Sequence, residues 1–159
     1  MTFNETNIKN QFKANVFIDW LNIKANGGQS LDFKKLLNLI REQGGLILRA
    51  NIYLPEAEEH QIHFYDAIKA AGFKIIYLEE RFERVNCDTK MVVDIITQSL
   101  NVDAVYILTN DADFIPAISY LQTAGKRVLL IHGDNPSNNL RRTVDEWRHL
   151  RQLDLLQER

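Results

Sequence analysis

Short apolar runs alternate with helix-periodic stretches along nearly the whole of this chain, and that alternation constrains its fold more than any other feature. The runs are Ala14–Asp19, Leu46–Leu54, Phe73–Leu78, Val105–Thr109 and Arg127–Ile131. Each is rich in β-branched or aromatic residues and is bounded by turn formers, so each reads as a strand. Val105 to Leu108 has no polar member and reads as a strand buried on both faces. Between the runs, apolar residues recur at helical spacing. Phe33, Leu36, Leu37 and Ile40 follow Ser30 or Asp32 as candidate caps and stop at Gly44-Gly45. Ile62, Tyr65, Ile68 and Ala71 mark a helix over residues 56–71, ended by Gly72. After a charged loop from Glu79 to Asn86, Asp88 or Thr89 starts a helix with Met91, Val92, Ile95 and Ile96 inside. Phe114, Ile115, Ile118 and Leu121 form another, ended by Gly125, and a last helix is expected from Leu140 to about His149. Strict β-α alternation with short linkers implies a three-layer α/β/α sandwich around a mainly parallel sheet of five to six strands, with right-handed crossovers.

The 159 residues suffice for one domain with a proper core, expected over 14–150. Residues 1–13 read as a flexible, Asn-rich lead-in, and 151–159 as a tail able to add a short edge strand or helix. Net charge is −2, so any nucleic-acid partner must be met by a local basic patch. The single cysteine, Cys87, excludes an internal disulfide, and no Cys/His cluster suggests zinc. No apolar run approaches membrane-spanning length, and the first residues lack the apolar core of a signal peptide, so the expectation is a cytoplasmic protein with no membrane partner. Neither G-x-G-x-x-G nor G-x-x-x-x-G-K-[ST] occurs, which removes the main support for dinucleotide or P-loop chemistry.

Acids fall repeatedly where strands hand over to helices. Asp19 ends the first strand, Asp111 and Asp113 follow the fourth, and Asp88 opens the helix between the third and fourth. In an open parallel sheet that edge is where ligands bind. Any one of these acids alone could be a helix cap or a solvated side chain. Together they form a carboxylate set suited to a hard divalent cation such as Mg²⁺. Two such ions ~4 Å apart could activate a water and stabilise a leaving oxygen in phosphodiester cleavage. Asp94 lies six residues beyond Asp88, and is either a support for the site or a structural partner of Lys90. Lys90 divides likewise between that ion pair and a cation holding substrate phosphate. Asn22 is a turn former or an orienting amide, and Thr109 and Asn110 offer a hydroxyl and an amide to a ligand or to the local backbone. Ser137, Asn138 and Asn139 read as caps of the last helix, His132 as a loop residue, and Asp145 and Trp147 as packing for that helix.

The elements Phe17-Ile18-Asp19-x-x-Asn22, Asp88-x-Lys90-x-x-x-Asp94 and Thr109-Asn110-Asp111-Ala112-Asp113-Phe114-x-Pro116 occur in this order and spacing, with Gly125-Lys126-x-Val128, Ser137-x-x-Leu140 and Asp145 after them. In these, residues 14 to 150 resemble the NYN domains of the PIN-like nuclease superfamily, in particular the bacterial LabA-like (DUF88) group. The resemblance implies a Rossmann-like, PIN-like sheet with strand order 3-2-1-4-5. It also implies Mg²⁺- or Mn²⁺-dependent ribonuclease chemistry, with Asp19, Asp88, Asp111 and Asp113 as catalytic metal ligands. Asn22, Asp94, Thr109 and Asn110 would support them. The chain departs from the family pattern in two places. Thr109-Asn110 and Ala112 stand where Ser-Gly and Ser are usual, and Val85-Asn86-Cys87 replace the usual Lys-Gly ahead of the helix Asp. Arg81 or Arg84 is a candidate substitute for that lysine.

The leading expectation is a metal-dependent endoribonuclease for single-stranded RNA, using metal-activated water and leaving 5′-phosphate and 3′-hydroxyl ends. A non-catalytic RNA- or protein-binding module is the alternative from another class. A phosphohydrolase with an Asp nucleophile is weaker, because no basic partner accompanies Asp111-x-Asp113. Lys90, Arg81, Arg84, Arg141 and Arg142 are the candidate substrate contacts, and a second copy of the chain is a candidate partner.

Overall fold

The structure, a computed structural model, describes residues 11–23, 30–55, 62–78 and 85–157, with only the backbone described at 30, 55 and 85–88. Strand β1 (Phe12–Asp19) runs directly into a one-turn helix, α1 (Trp20–Ile23). A short strand, β2 (Ser30–Leu31), precedes α2 (Phe33–Glu42). Next come β3 (Gly45–Pro55), α3 (Ile62–Ala71), β4 (Lys74–Leu78), α4 (Val85–Gln98) and β5 (Ala104–Leu108). A 3₁₀ turn at Ala112–Phe114 leads into α5 (Ile115–Thr123), followed by β6 (Arg127–His132), α6 (Asn138–Thr143) and β7 (Glu146–His149). A second 3₁₀ turn, Leu150–Leu153, and β8 (Leu156–Gln157) complete the chain.

The main sheet has six strands in the order β4-β3-β1-β5-β6-β7, every pairing parallel. The chain therefore builds outward in one direction through β3 and β4, then returns to place β5 beside β1. That reversal is a topological switch point, and it opens a crevice beyond the carboxyl ends of β1 and β5. β1 and β5 are buried from Ala14 to Asp19 and throughout Ala104–Leu108, as expected of central parallel strands.

Two cores cover the two faces. Val16, Ile18, Ile52 and Leu54 pack with Phe33, Leu36, Leu37, Ile40 and Ile68 of α2 and α3. Phe17, Ile107 and Leu130 pack with Met91, Ile95, Ile118, Leu121 and Leu140 of α4, α5 and α6. Helix α2 begins where the sequence indicates, with the Asp32 carboxylate accepting from the Lys35 amide at 3.0 Å. It ends at Gly44, held at φ 96°, and Gly45, where an added Cβ would lie 2.7 Å from the Ile40 side chain.

Three expectations need correction. The last helix stops at Thr143 instead of reaching His149, and the residues after it form the sixth strand. The cause is tertiary. The Asp145 amide donates to the Val128 carbonyl at 3.0 Å, and the Val128 amide donates to the Asp145 carboxylate at 2.8 Å, which fastens the chain to the edge of β6. Asp145 and Trp147 thus lie beyond the helix instead of within it, although the Trp147 ring, on β7, still meets Arg141 of α6. Helix α4 begins at Val85, so Asp88 lies within its first turn instead of capping it. His132 is the last residue of β6, not a loop residue, and is 3% exposed. Ser137 does cap α6, through the Leu140 amide at 3.4 Å. The sheet starts two residues inside the expected lead-in, at Phe12, and the tail folds back so that β8 pairs antiparallel with β2. Residues 1–10, 56–61 and 79–84, including Arg81 and Arg84, lie outside the described residues.

Candidate active site

Asp19 is the last residue of β1 and is 6% exposed. The short helix α1 follows at once and is anchored by Trp20, whose ring lies 5.6 Å from Phe33 and 5.3 Å from Phe64. This fixes Asn22, whose side-chain amide donates to Asp19 Oδ2. Thr109, the first residue past β5, donates its hydroxyl to the same oxygen at 2.9 Å. The Thr109 Oγ1 in turn accepts from the Asp111 amide at 3.1 Å, and Asp111 Oδ1 accepts from the Asp113 amide at 2.9 Å, capping the 3₁₀ turn. Asn110 ties the neighbouring loops together. Its Nδ2 donates to the Asn22 carbonyl at 3.3 Å, its Oδ1 accepts from the Gly133 amide at 2.8 Å, and its carbonyl accepts from the Ser137 amide at 3.4 Å.

Burial is the main cause that raises the Asp19 carboxyl above the ordinary aspartate value, and the Asp111 charge adds to it. The hydrogen bonds from Asn22 and Thr109 pull the other way. A buried acid held by neutral donors beside a second acid favours a cation that neutralises the pair. The described acids Asp19, Asp111 and Asp113 do not close into a group of three around one point. The backbone of Asp88 is described on α4, but its side chain is not. The donor chemistry fits Mg²⁺ or Mn²⁺, since hard cations of this type take one or two carboxylates and fill the remaining positions with water and substrate phosphate. Asp19 and Asp111, with Asp113 on the rim and Asp88 on the helix, would hold it.

Asp94 has a different setting, and it brings in residues the sequence reading did not single out. It is 4% exposed. Its Oδ1 accepts from Lys90 at 2.9 Å and its Oδ2 from the Tyr53 hydroxyl at 2.8 Å. Asn51 donates to Tyr53 Oη at 3.4 Å and to Gln98 Oε1 at 2.9 Å, and Asn15 donates to the Gln98 carbonyl at 2.9 Å. Both oxygens of Asp94 are engaged, so it braces α4 against β3, and Lys90 is its counter-ion. One signal was available in the sequence. Ala14-Asn15-Val16-Phe17-Ile18 and Ala50-Asn51-Ile52-Tyr53-Leu54 each place an asparagine inside an apolar run. A buried amide of that kind needs partners.

Arg141 and Arg142 lie on α6, which packs against the 3₁₀ turn of Asp111 and Asp113. Beside them, β6 and β7 carry a second polar cluster. His132 donates from Nδ1 to the Gly133 carbonyl at 2.8 Å, leaving its buried Nε2 with no hydrogen-bond partner among the described residues. Burial holds its pKa below the usual histidine value. His149 accepts at Nδ1 from the Arg151 amide and donates from Nε2 to Asp134 at 2.9 Å.

Comparison with known proteins bears out the resemblance. The NYN domain family model matches residues 13–151. An uncharacterized protein of Methanocaldococcus jannaschii, MJ0482, is 27% identical over 104 residues, covering 64% of this chain and 40% of that protein. This chain thus spans less than half the length of that relative. A protein of unknown function from Vibrio parahaemolyticus, VPA0982, superposes with a TM-score of 0.80 at 17% identity, covering 99% of this chain and 100% of the other. At that identity the likeness speaks for the fold alone. No helix among the described residues is long and apolar enough to cross a membrane. The NYN family is one of nucleases and is generally metal-dependent. The chain belongs to the NYN domain family.

Proposed function

We propose that this protein is a Mg²⁺- or Mn²⁺-dependent endoribonuclease that cleaves single-stranded RNA in the crevice beyond β1 and β5. The observation that carries this reading is Asp19, a buried carboxylate at the switch point, held among the described residues by neutral donors only and set beside the charge of Asp111. Asp19 and Asp111 hold the cation in this reading, with Asp88 and Asp113 completing the acidic rim. The bound ion supplies Lewis acidity for activating water and stabilising the leaving oxygen. The chain's own residues supply the positioning. Asn22 and Thr109 fix the Asp19 carboxylate through one oxygen, and Asn110 holds the loops after β1, β5 and β6 in fixed relation. Arg141 and Arg142 on α6, together with Arg81 and Arg84, provide the local positive charge that a chain of net charge −2 needs to meet a phosphate backbone.

The test is incubation of a broad single-stranded RNA panel with Mn²⁺, Mg²⁺ or EDTA. Cleavage that needs the metal, yields 5′-phosphate and 3′-hydroxyl ends, and disappears in Asp19→Asn supports the reading. Binding without metal-dependent cleavage across the panel overturns it in favour of a binding module.

A further inference from the structure

Of the two tryptophans in the chain, Trp20 is 7% exposed and Trp147 is 41% exposed on the edge strand. A single exposed aromatic needs no explanation by itself. The surroundings of this one do. The Arg141 guanidinium carbon lies 4.9 Å from the indole centroid, and Arg141 is in turn held by Asn138 Oδ1 at 2.6 Å. The His132 ring packs 5.5 Å away, tilted by 43°. Indole and guanidinium are thus held in place together. Trp147 also lines an open cleft of about 350 Å³, together with Asp145, Glu146, Arg148 and Gln152. That size lies in the range of small-ligand sites. Its acids are already engaged. Glu146 is paired with Arg127 at 2.7 Å and Arg148 at 2.9 Å, and Asp145 accepts from the Val128 amide and from Gln122.

The place of the cleft links it to the acids. Helix α6 starts where the Ser137 amide meets the Asn110 carbonyl, next to Asp111. Arg141 is four residues further on, roughly 6 Å along the helix at ~1.5 Å per residue. A fixed aromatic face backed by a cation, about one helical turn from a phosphodiester-binding crevice, suits the π-face of an unpaired base. A base within a duplex has no free face to offer. A protein partner fits less well, because Trp147 is the only large hydrophobic side chain exposed among the described residues from 127 onward, and the side chains around it are charged or polar.

We propose that Trp147, backed by Arg141, is the stacking platform for one unpaired base of a single-stranded nucleic acid whose backbone crosses the acid crevice. This rests on the ribonuclease reading above and specifies how that site holds its substrate. The experiment titrates the full chain in EDTA with fluorescently labelled single-stranded oligouridylate, with oligomers carrying one abasic residue at successive positions, and with matched duplex RNA. Trp147→Ala should weaken single-strand binding roughly five- to a hundredfold, Trp147→Phe should retain most of it, and duplex binding should not change. For wild type, the abasic residue should cost affinity at one position, and that penalty should vanish in Trp147→Ala. No single-strand binding by wild type, either in EDTA or with Ca²⁺ added in its place, would sink the ribonuclease reading itself. Binding by wild type with no position-dependent abasic penalty overturns the platform alone, and needs no variant that folds. Sedimentation showing a wild-type dimer that Trp147→Ala dissolves also overturns it, since the indole would then join two copies of the chain.

Discussion

Asp19 and Asp94 are both buried on the face of the sheet covered by α4, yet their partners differ in kind. Asp94 has a cation, Lys90, on one oxygen and the Tyr53 hydroxyl on the other. Among the described residues, Asp19 has only the neutral donors Asn22 and Thr109, and its charged neighbour Asp111 has the same sign. Asp19 on β1 is in register with Tyr53 on the adjacent β3, and Tyr53 is the residue whose hydroxyl reaches Asp94 on α4. A buried charge that carries its own counter-ion braces the fold. One buried without a counter-ion is left to be neutralised by something that arrives from outside. The contrast separates a structural acid from a candidate ligand more cleanly than sequence position does.

The largest effect should come from removing the Asp19 charge. Asp19→Asn keeps an acceptor for Asn22 and Thr109, so the fold should persist while metal-dependent cleavage falls by ~10²-fold or more, the scale of losing one charge-stabilising group. Asp94→Asn, folded at moderate temperature, should retain most of its activity. Reversal of these two results would exchange the roles of the acids.

Stability should respond in the opposite order. Asp94→Ala leaves the buried Tyr53 hydroxyl without its acceptor and should cost about 2–3 kcal/mol, reduced from the fully buried case because Lys90 is half exposed. Chemical denaturation with EDTA present measures it. A loss no greater than that of an ordinary surface substitution would mean the bracing network is not cooperative.

The uncompensated pair should also show in pH and metal dependence. The folded-state pKa of Asp19 is raised, so native protein holds this proton more tightly than unfolded chain. Its destabilising effect is therefore absent below the unfolded value near 4, grows as pH rises through that value, and levels off above the folded one. Asp111→Asn removes the neighbouring charge but keeps an oxygen to cap the 3₁₀ turn. It should stabilise the metal-free protein near neutral pH by about 1 kcal/mol, a shift of a few degrees in melting temperature. Millimolar Mn²⁺ should raise the melting temperature of wild type and leave Asp111→Asn nearly unmoved. A mutant melting lower than wild type in EDTA would mean the cap outweighs the repulsion. The smallest effect should be that of Tyr53→Phe, about 1 kcal/mol for one lost hydrogen bond, with cleavage unchanged.

The alternation of runs and helices and the helix faces were legible because each rests on local periodicity that tertiary packing reinforces, whereas the strand order was implied by the family resemblance alone. Phe33, Leu36, Leu37 and Ile40 are all inside, as their spacing requires. What could not be read was set by distant partners. No Gly or Pro separates Leu140 from Leu150, so nothing local announces that helix α6 gives way to β7. The break comes from Val128, far away in sequence, which captures Asp145. The site was legible in the same uneven way. Strand-end position located Asp19, Asp111 and Asp113, and the even split over Asp94 could not be decided without Tyr53, because sequence does not say which hydroxyl reaches which carboxylate.

The three hydrogen bonds of Asn110 also set how the crevice opens. Its side chain and carbonyl bind the loops that follow β1, β5 and β6, so none of those loops can lift away without breaking a bond that the others share. The rim should behave as one cooperative opening unit, in which the Gly133 and Ser137 amides exchange with solvent deuterium at a common free energy of opening. A ligand that binds only the closed rim would slow both by the same factor, although neither amide need touch it. Unequal protection would show instead that the loops open separately, and that the positions of Asp19 and Asp111 are set independently of each other.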